Sequence, residues 1–313
     1  VYRCGGFVPL SDAVPVLENF GFRVLEGLPT RLADESLGHI HDFDVDMPEG
    51  VDCEASFERD ETVERAIGSV LRGDAENDDF SRLILSAALQ PRAVLWLGAW
   101  FRYLRQTGVT YGLATIVDAL ARAPGATQAI IDLFTALHDP GLKGERASEV
   151  RRAREAFDEA LRSVSAIDDD RILRLMRAVV DATLRTNAFA PMSSVALAMK
   201  INSSLVPGLP APVPWREIWV YSPRLEGTHL RYGPIARGGL RWSDRRDDFR
   251  TEILGLMKPQ VVKNAVIVPA GAKGGFYAKQ LPPPSNRDAW LAEGTESYRI
   301  FISALLSITD NIV

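Results

Sequence analysis

The sequence predicts an α/β chain in three parts: a small α/β module over residues 1–73, a helical region over 74–205, and the N-terminal part of a second α/β domain over 206–313. Three observations carry that prediction. The first fifty residues mix short strand-like runs with one amphipathic helical run. Apolar residues then recur at helical spacing from Asp78 to about Ala190. A proline-rich break from Val206 to Pro214 is followed by strand-like runs and paired glycines.

In the first part, Ser11 and Asp12 can cap a helix bearing Ala13, Val16, Leu17 and Phe20, which Gly21 is placed to end. Pro15 falls in the first turn, where it removes at most one backbone bond. Phe22–Leu25 and Gly38–Val45 read as strands, and Phe57–Leu71 as a second helix with Ala66, Ile67, Val70 and Leu71 on one side. The strand, helix, strand, strand order resembles a ferredoxin-like, ACT-like regulatory module. His39 and His41 suggest a metal pair, but neighbouring strand positions face opposite ways and no further ligand follows at a recognisable spacing. Both are read as strand residues.

The second part reads as helices. Phe80–Leu89 ends before Pro91, which suits the first turn of a helix carrying Val94, Leu95, Leu97, Phe101 and Leu104 up to Gly108. Trp96 and Trp100 stand four apart on it, a spacing that marks core. Helices follow around Ala114–Arg122 and Thr127–Leu137, separated by Pro124-Gly125. Lys143–Ser163 interleaves acids with bases and reads as a solvated helical face, which argues against nucleic acid. Asp168 is expected to cap the next helix, with Ile167 and Ile172 as a hydrophobic staple and Asp169 and Asp170 at the positive dipole end. A helix start explains the three aspartates with less than a metal does.

A net charge of -5 excludes general affinity for nucleic acid or an anionic membrane surface, so any basic site is local. Two cysteines, Cys4 and Cys53, make neither a disulfide framework nor a metal cluster, which suits a reducing, cytoplasmic setting. Neither a long apolar span nor a signal pattern is present. The chain opens on Val1 without methionine and is expected to be an excerpt of a longer protein.

The third part holds the chemistry. Glu217–Tyr221 reads as a strand and His229–Tyr232 as its neighbour. From Tyr232 to Lys279 the chain turns basic and glycine-rich, with pairs at Gly238-Gly239 and Gly274-Gly275. Arg237–Trp242 is expected in a turn entering a helix opened by Asp247 and Asp248, carrying Phe249, Ile253, Leu256 and Met257, interrupted at Pro259 and resumed over Gln260–Lys263. Asn264–Val268 reads as a buried strand, and Pro269–Gly275 as a loop presenting Lys273 between glycines. Neither GxGxxG spacing nor a Gly-Lys-Ser/Thr triplet occurs, so the anion this segment suits is not a nucleotide phosphate.

The string ARGGLRWSDRRDDFRTEILGLMKPQVVKNAVIVPAGAKGGF resembles the substrate-binding domain of the very large NAD-dependent glutamate dehydrogenases of bacteria. Upstream, an ACT-like segment followed by helices is similar to the same class. The resemblance implies that Arg237, standing where the family has a lysine, holds a side-chain carboxylate beside Gly238 and Gly239. It implies that Lys263 binds the α-carboxylate and that Lys273 is the catalytic lysine of a glycine loop whose first glycine is here Ala270. Lys258 is a nearby competitor for carboxylate binding. The implied reaction is oxidative deamination of L-glutamate to 2-oxoglutarate and ammonia with NAD as cofactor. NAD and the partner aspartate would be supplied beyond residue 313, in a homo-oligomer with a possible amino-acid effector. The residues agree with this without the family, since a dicarboxylate needs two separate cationic grips and arginine can hold a carboxylate with both ends of its fork. The competing reading is a non-catalytic regulatory or scaffold fragment with an ACT-like amino-acid-sensing module.

Overall fold

The structure is a computed structural model that describes residues 1–3, 7–32, 38–48, 51, 54, 58–263 and 270–309. It divides into two compact units, Val1–Gly98 with Leu113–Pro124, and Ala99–Gly112 with Gly125–Val313.

The first unit opens with β1 (Tyr2–Arg3), α1 (Leu10–Asn19), β2 (Arg23–Arg31), β3 (His39–Asp46) and α2 (Asp60–Leu71). The strands form an antiparallel sheet in the order β1-β3-β2. Ala13, Val16 and Leu17 of α1 and Val63, Ala66 and Val70 of α2 are buried, as the helical spacing requires. Gly21 ends α1 at φ 96°, a conformation open to glycine. Three expectations change. Pro9 stands at the start of α1, so Ser11 and Asp12 lie inside its first turn and neither caps it. β2 runs on to Arg31, an exposed edge strand whose pattern does not alternate. His39 and His41, two positions apart, share a face with ring centroids 6.4 Å apart. His41 is buried and its Nε2 accepts from the Val8 amide at 3.3 Å. A 3₁₀ turn (Asp79–Arg82), capped by Asp78, and α3 (Leu83–Ser86) stand where a longer helix is expected. Then come α4 (Pro91–Gln106), whose residues from Ala99 on belong to the second unit, and α5 (Leu113–Arg122). Trp96 and Trp100 are both buried, as their spacing requires.

In the second unit α6 (Pro124–His138), which enters it at Gly125, α7 (Arg146–Leu161) and α8 (Ile167–Ala182) precede the sheet. α7 buries only Ala153, Phe157 and Leu161, a narrow stripe under a charged face. α8 begins at Ile167, which is 85% exposed, so the expected staple with Ile172 does not form. Asp168 sits in the first turn and accepts from the Tyr111 hydroxyl at 2.8 Å.

Among the described residues a seven-stranded sheet follows, with the strands β4 (Thr183–Thr186), β5 (Leu197–Ile201), β6 (Arg216–Tyr221), β7 (Leu225–Arg231), β8 (Ala236–Arg237) and β9 (Leu240–Ser243), then α9 (Phe249–Lys263), β10 (Ala270–Ala278) and α10 (Arg287–Ser307). Its order is β4-β5-β6-β7-β10-β8, with β9 also pairing β10. The proline-rich stretch therefore connects β5 to β6, which are paired neighbours in this sheet. α10 covers one face, where Phe301 and Ala304 meet Val220, Leu225 and Phe276. α9 covers the other, where Ile253, Leu254 and Met257 meet Leu230. Pro259 lies inside α9, which runs through it to Lys263.

Candidate functional site

The segment that carries the candidate residues is built on β10. On one side β10 pairs antiparallel with β7, Lys273 opposite Leu230. On its other side β8 and β9 run parallel to it, Ala236 opposite Ala270 and Arg237 opposite Gly271, then Leu240 opposite Gly274 through Ser243 opposite Tyr277. Every one of these pairs differs by the same 34 positions (270 − 236, 277 − 243), so β8 and β9 are one strand interrupted in register. The interruption is Gly238-Gly239, which stands alongside Ala272 and Lys273. The Gly274 amide closes it by donating to the Gly239 carbonyl at 3.1 Å.

Lys273 thus lies in a strand and not in the expected loop. Gly, Ala and Lys favour strands weakly, and the hydrogen-bond ladders on both sides of β10 override that preference. Arg237–Trp242 likewise forms β8 and β9, with the turn into α9 following at residues 244–248. The expected strand Asn264–Val268 and Pro269 lie outside the described residues. So does the side chain of Lys263, whose backbone ends α9.

The glycines serve close approach between protein segments. A side-chain carbon at Gly238 would come 1.5 Å from the Ala272 carbonyl oxygen, so the arm lies directly on β10. Gly271 and Gly275 flank Lys273 on the face that α9 covers, with Gln260 filling the space over the first and Ile253 over the second. Their bareness lets the helix rest on the strand. Gln260 also reaches Gly238, its Oε1 3.1 Å from the carbon that glycine lacks. It is a candidate the sequence reading passed over as helix. The signal available was a polar residue following Pro259 inside a helix that must cross the lysine strand.

Paired strand residues face the same way and successive ones alternate, so Arg237, which pairs with Gly271, and Lys273 share a face. Arg237 is exposed and Lys273 half-buried, its Nζ 3.8 Å from where a side-chain carbon at Gly239 would stand. Arg241 is occupied by Glu252 at 3.0 Å, and Ser243 Oγ donates to the same carboxylate at 2.5 Å. Among the described residues neither Arg237, Lys258 nor Lys273 pairs with a carboxylate, so their charge is available to an anion. Lys258 lies exposed on α9. The structure therefore brings together Arg237, Gly238, Gly239 and Lys273, and adds Gln260.

His229, opposite Gly274, packs against it on the other face. Burial first and Arg231 second lower its pKa to about 4, which keeps the imidazole neutral, and its Nδ1 has no partner among the described residues. The gaps at Gly271, Gly274 and Gly275 are filled by Gln260, Leu240 with His229, and Ile253, so these glycines offer no cradle for a dinucleotide. Among the described residues no group of His, Cys, Asp or Glu could hold a metal ion, and no helix is long and apolar enough to cross a membrane.

Residues 156–313 match the family model described as bacterial NAD-glutamate dehydrogenase, catalytic domain. Residues 75–140 match glutamate dehydrogenase, helical motif 3, and residues 1–61 match glutamate dehydrogenase, ACT3 domain. The chain is 44% identical over 321 residues to a NAD-specific glutamate dehydrogenase of Pseudomonas aeruginosa, with 100% of this chain and 20% of that protein covered. It is 43% identical over 325 residues to one of Mycobacterium tuberculosis, with 98% and 20% covered, and 42% identical over 322 residues to one of Halomonas elongata, with 100% and 20% covered. The chain thus spans about a fifth of the length of these relatives.

Proposed function

The chain belongs to the bacterial NAD-glutamate dehydrogenase family, and from that premise we propose that Arg237, Gly238, Gly239, Lys263 and Lys273 form the substrate side of an active site that oxidatively deaminates L-glutamate to 2-oxoglutarate and ammonia. The observation that carries the reading is the interrupted strand, which sets Arg237 and the glycine pair beside Lys273 with both cations on one face and unpaired among the described residues.

In this reading Arg237 holds one carboxylate of the substrate through two parallel N–H bonds, and Lys263 holds the other. The bare position at Gly239 leaves room for the substrate beside Lys273, whose amine polarises the developing carbonyl and the attacking water. Gln260, wedged between Gly238 and Gly271, supports the floor of the same pocket. NAD is the oxidant the reaction calls for. The chemistry assigned to this chain is confined to gripping, orienting and proton exchange. The proposal extends to a cytoplasmic homo-oligomer and to an amino-acid effector at residues 1–73, the latter supported by the ACT3 match.

Because the chain spans a fifth of its relatives, the test uses the full-length polypeptide. Lys273→Met is expected to lower glutamate-dependent NAD reduction by about 10³-fold, within the usual range for losing a positioned proton-transfer group, while leaving circular dichroism unchanged. Arg237→Ala is expected to raise the glutamate KM roughly ten- to a hundredfold, the worth of a charge-assisted bond. Near-normal turnover in the Lys273 variant sinks the assignment.

A further inference from the structure

α9 carries Lys258, Gln260 and the backbone of Lys263, and it packs directly on the lysine strand. It rests on Gly271 and Gly275, which raise no side chains of their own, and Gln260 and Ile253 of the helix fill the space over them. A helix on such a surface can slide, and one turn of slip is about 5.4 Å. Polar contacts at its first turn oppose such a slip: Glu252 holds Arg241 at 3.0 Å and Ser243 Oγ at 2.5 Å, and a fully buried contact stands beside it.

The first turn of α9 contains Arg250, which is fully buried. Its Nε donates to Glu217 Oε2 at 2.9 Å and its Nη2 to Glu217 Oε1 at 3.2 Å, a two-pronged grip on β6. The buried Tyr103 hydroxyl donates to the same carboxylate, and the Arg250 amide donates to Gln106 Oε1 at 3.2 Å. Arg250 Nη1 is buried without a partner among the described residues. An apolar pair of similar volume is commonly as stable as a buried ion pair or more so, and an orphaned donor weakens the stability case further. What the fork offers, and apolar contact does not, is a fixed direction and distance.

We propose that Arg250 and Glu217 are positioning residues that set the register of α9, and through it the placement of Gln260 over the lysine strand. The proposal rests on the functional reading above. Its test follows thermal unfolding, hydrogen exchange over residues 249–263, and the glutamate KM and kcat of NAD reduction in the full-length polypeptide. Arg250→Met strands Glu217 and is expected to lower the unfolding temperature. Adding Glu217→Gln, which removes the stranded charge and keeps an acceptor for the Tyr103 hydroxyl, is expected to recover most of that temperature, yet to leave KM raised or kcat lowered roughly ten- to a hundredfold, the scale of a misplacement of about 1 Å, with faster exchange in α9. Arg250→Lys, which keeps the charge and loses the fork, is expected to show the same kinetic defect at a near-normal unfolding temperature.

A double variant with normal KM, kcat and exchange overturns the proposal. Should that variant not fold, normal kinetics and exchange in Arg250→Lys overturn it equally. Exchange in α9 reads the register whatever reaction is catalysed. An unsubstituted protein inactive on glutamate therefore refutes the functional reading alone, and the register is then judged on exchange.

Discussion

Adjacent glycines at 238 and 239 face very different neighbours. At 238 a methyl carbon would sit 1.5 Å from the backbone oxygen of Ala272, while at 239 its nearest contact is Lys273 Nζ at 3.8 Å, an ordinary van der Waals distance. A backbone oxygen cannot swing aside, so Gly238→Ala must lift the arm off β10, at roughly 1–3 kcal/mol for an overpacked site. The lift moves Arg237 away from Lys273. Gly238→Ala is therefore expected to weaken glutamate binding at least about tenfold, and Gly239→Ala, which disturbs no backbone but adds a methyl beside Lys273, to weaken it less. Calorimetric titration of the two variants compares them directly, and equal affinities would refute the placement of the arm.

Between elements the contacts divide cleanly by face. Trp242 of β9 stacks on Trp290 of α10 at 4.5 Å and on Phe276 of β10 at 6.1 Å, and it occupies the space above Gly294. A methyl carbon at 294 would fall 2.0 Å from that ring. Alanine favours a helix over glycine by about 1 kcal/mol, but the displaced indole loses more, roughly 1–3 kcal/mol. Gly294→Ala is expected to lower the unfolding temperature and shift tryptophan emission; a rise in stability would show that the indole moves freely. This level also marks what the sequence could tell. β6 was legible because Trp219, Val220 and Tyr221 are aromatic or β-branched, β7 only at its end around Leu230, and α9 because Phe249, Ile253 and Met257 recur at helical spacing. β10 was not, because Ala-Gly-Ala-Lys-Gly-Gly favours strand weakly and owes its form to partners distant in sequence. β4 and β5 went unseen because Leu197, Ala198 and Met199 are all buried and show no alternation. The motif residues were readable as chemistry, and their side-by-side placement was not, since it depends on the pairing of residues 34 positions apart.

For the whole molecule, two half-buried histidines shape how stability answers to acid. His229 and His138 both have pKa values lowered to about 4, by burial first and then by Arg231 and Arg146 respectively. In the unfolded chain each takes a proton near 6.5, so between 6.5 and 4 the unfolded state binds more protons than the folded one. Stability from these groups is complete above 6.5 and is lost as pH falls toward 4, by up to roughly 3 kcal/mol per histidine. Urea unfolding measured at pH 7 and again at 4.5 is expected to show this decline, with a shallower slope in His229→Gln. An unchanged slope would mean that His229 is not held neutral.

The interrupted strand has one more consequence. Arg237 and Lys273 hang from neighbouring strands about 4.8 Å apart and are staggered by two residues, which puts their α-carbons about 8 Å from one another. That separation is set by backbone hydrogen bonds and owes nothing to loop conformation. In the proposed reading the strand pairing fixes the distance between the carboxylate grip at Arg237 and the reacting amine of Lys273, and a slip of the pairing changes it.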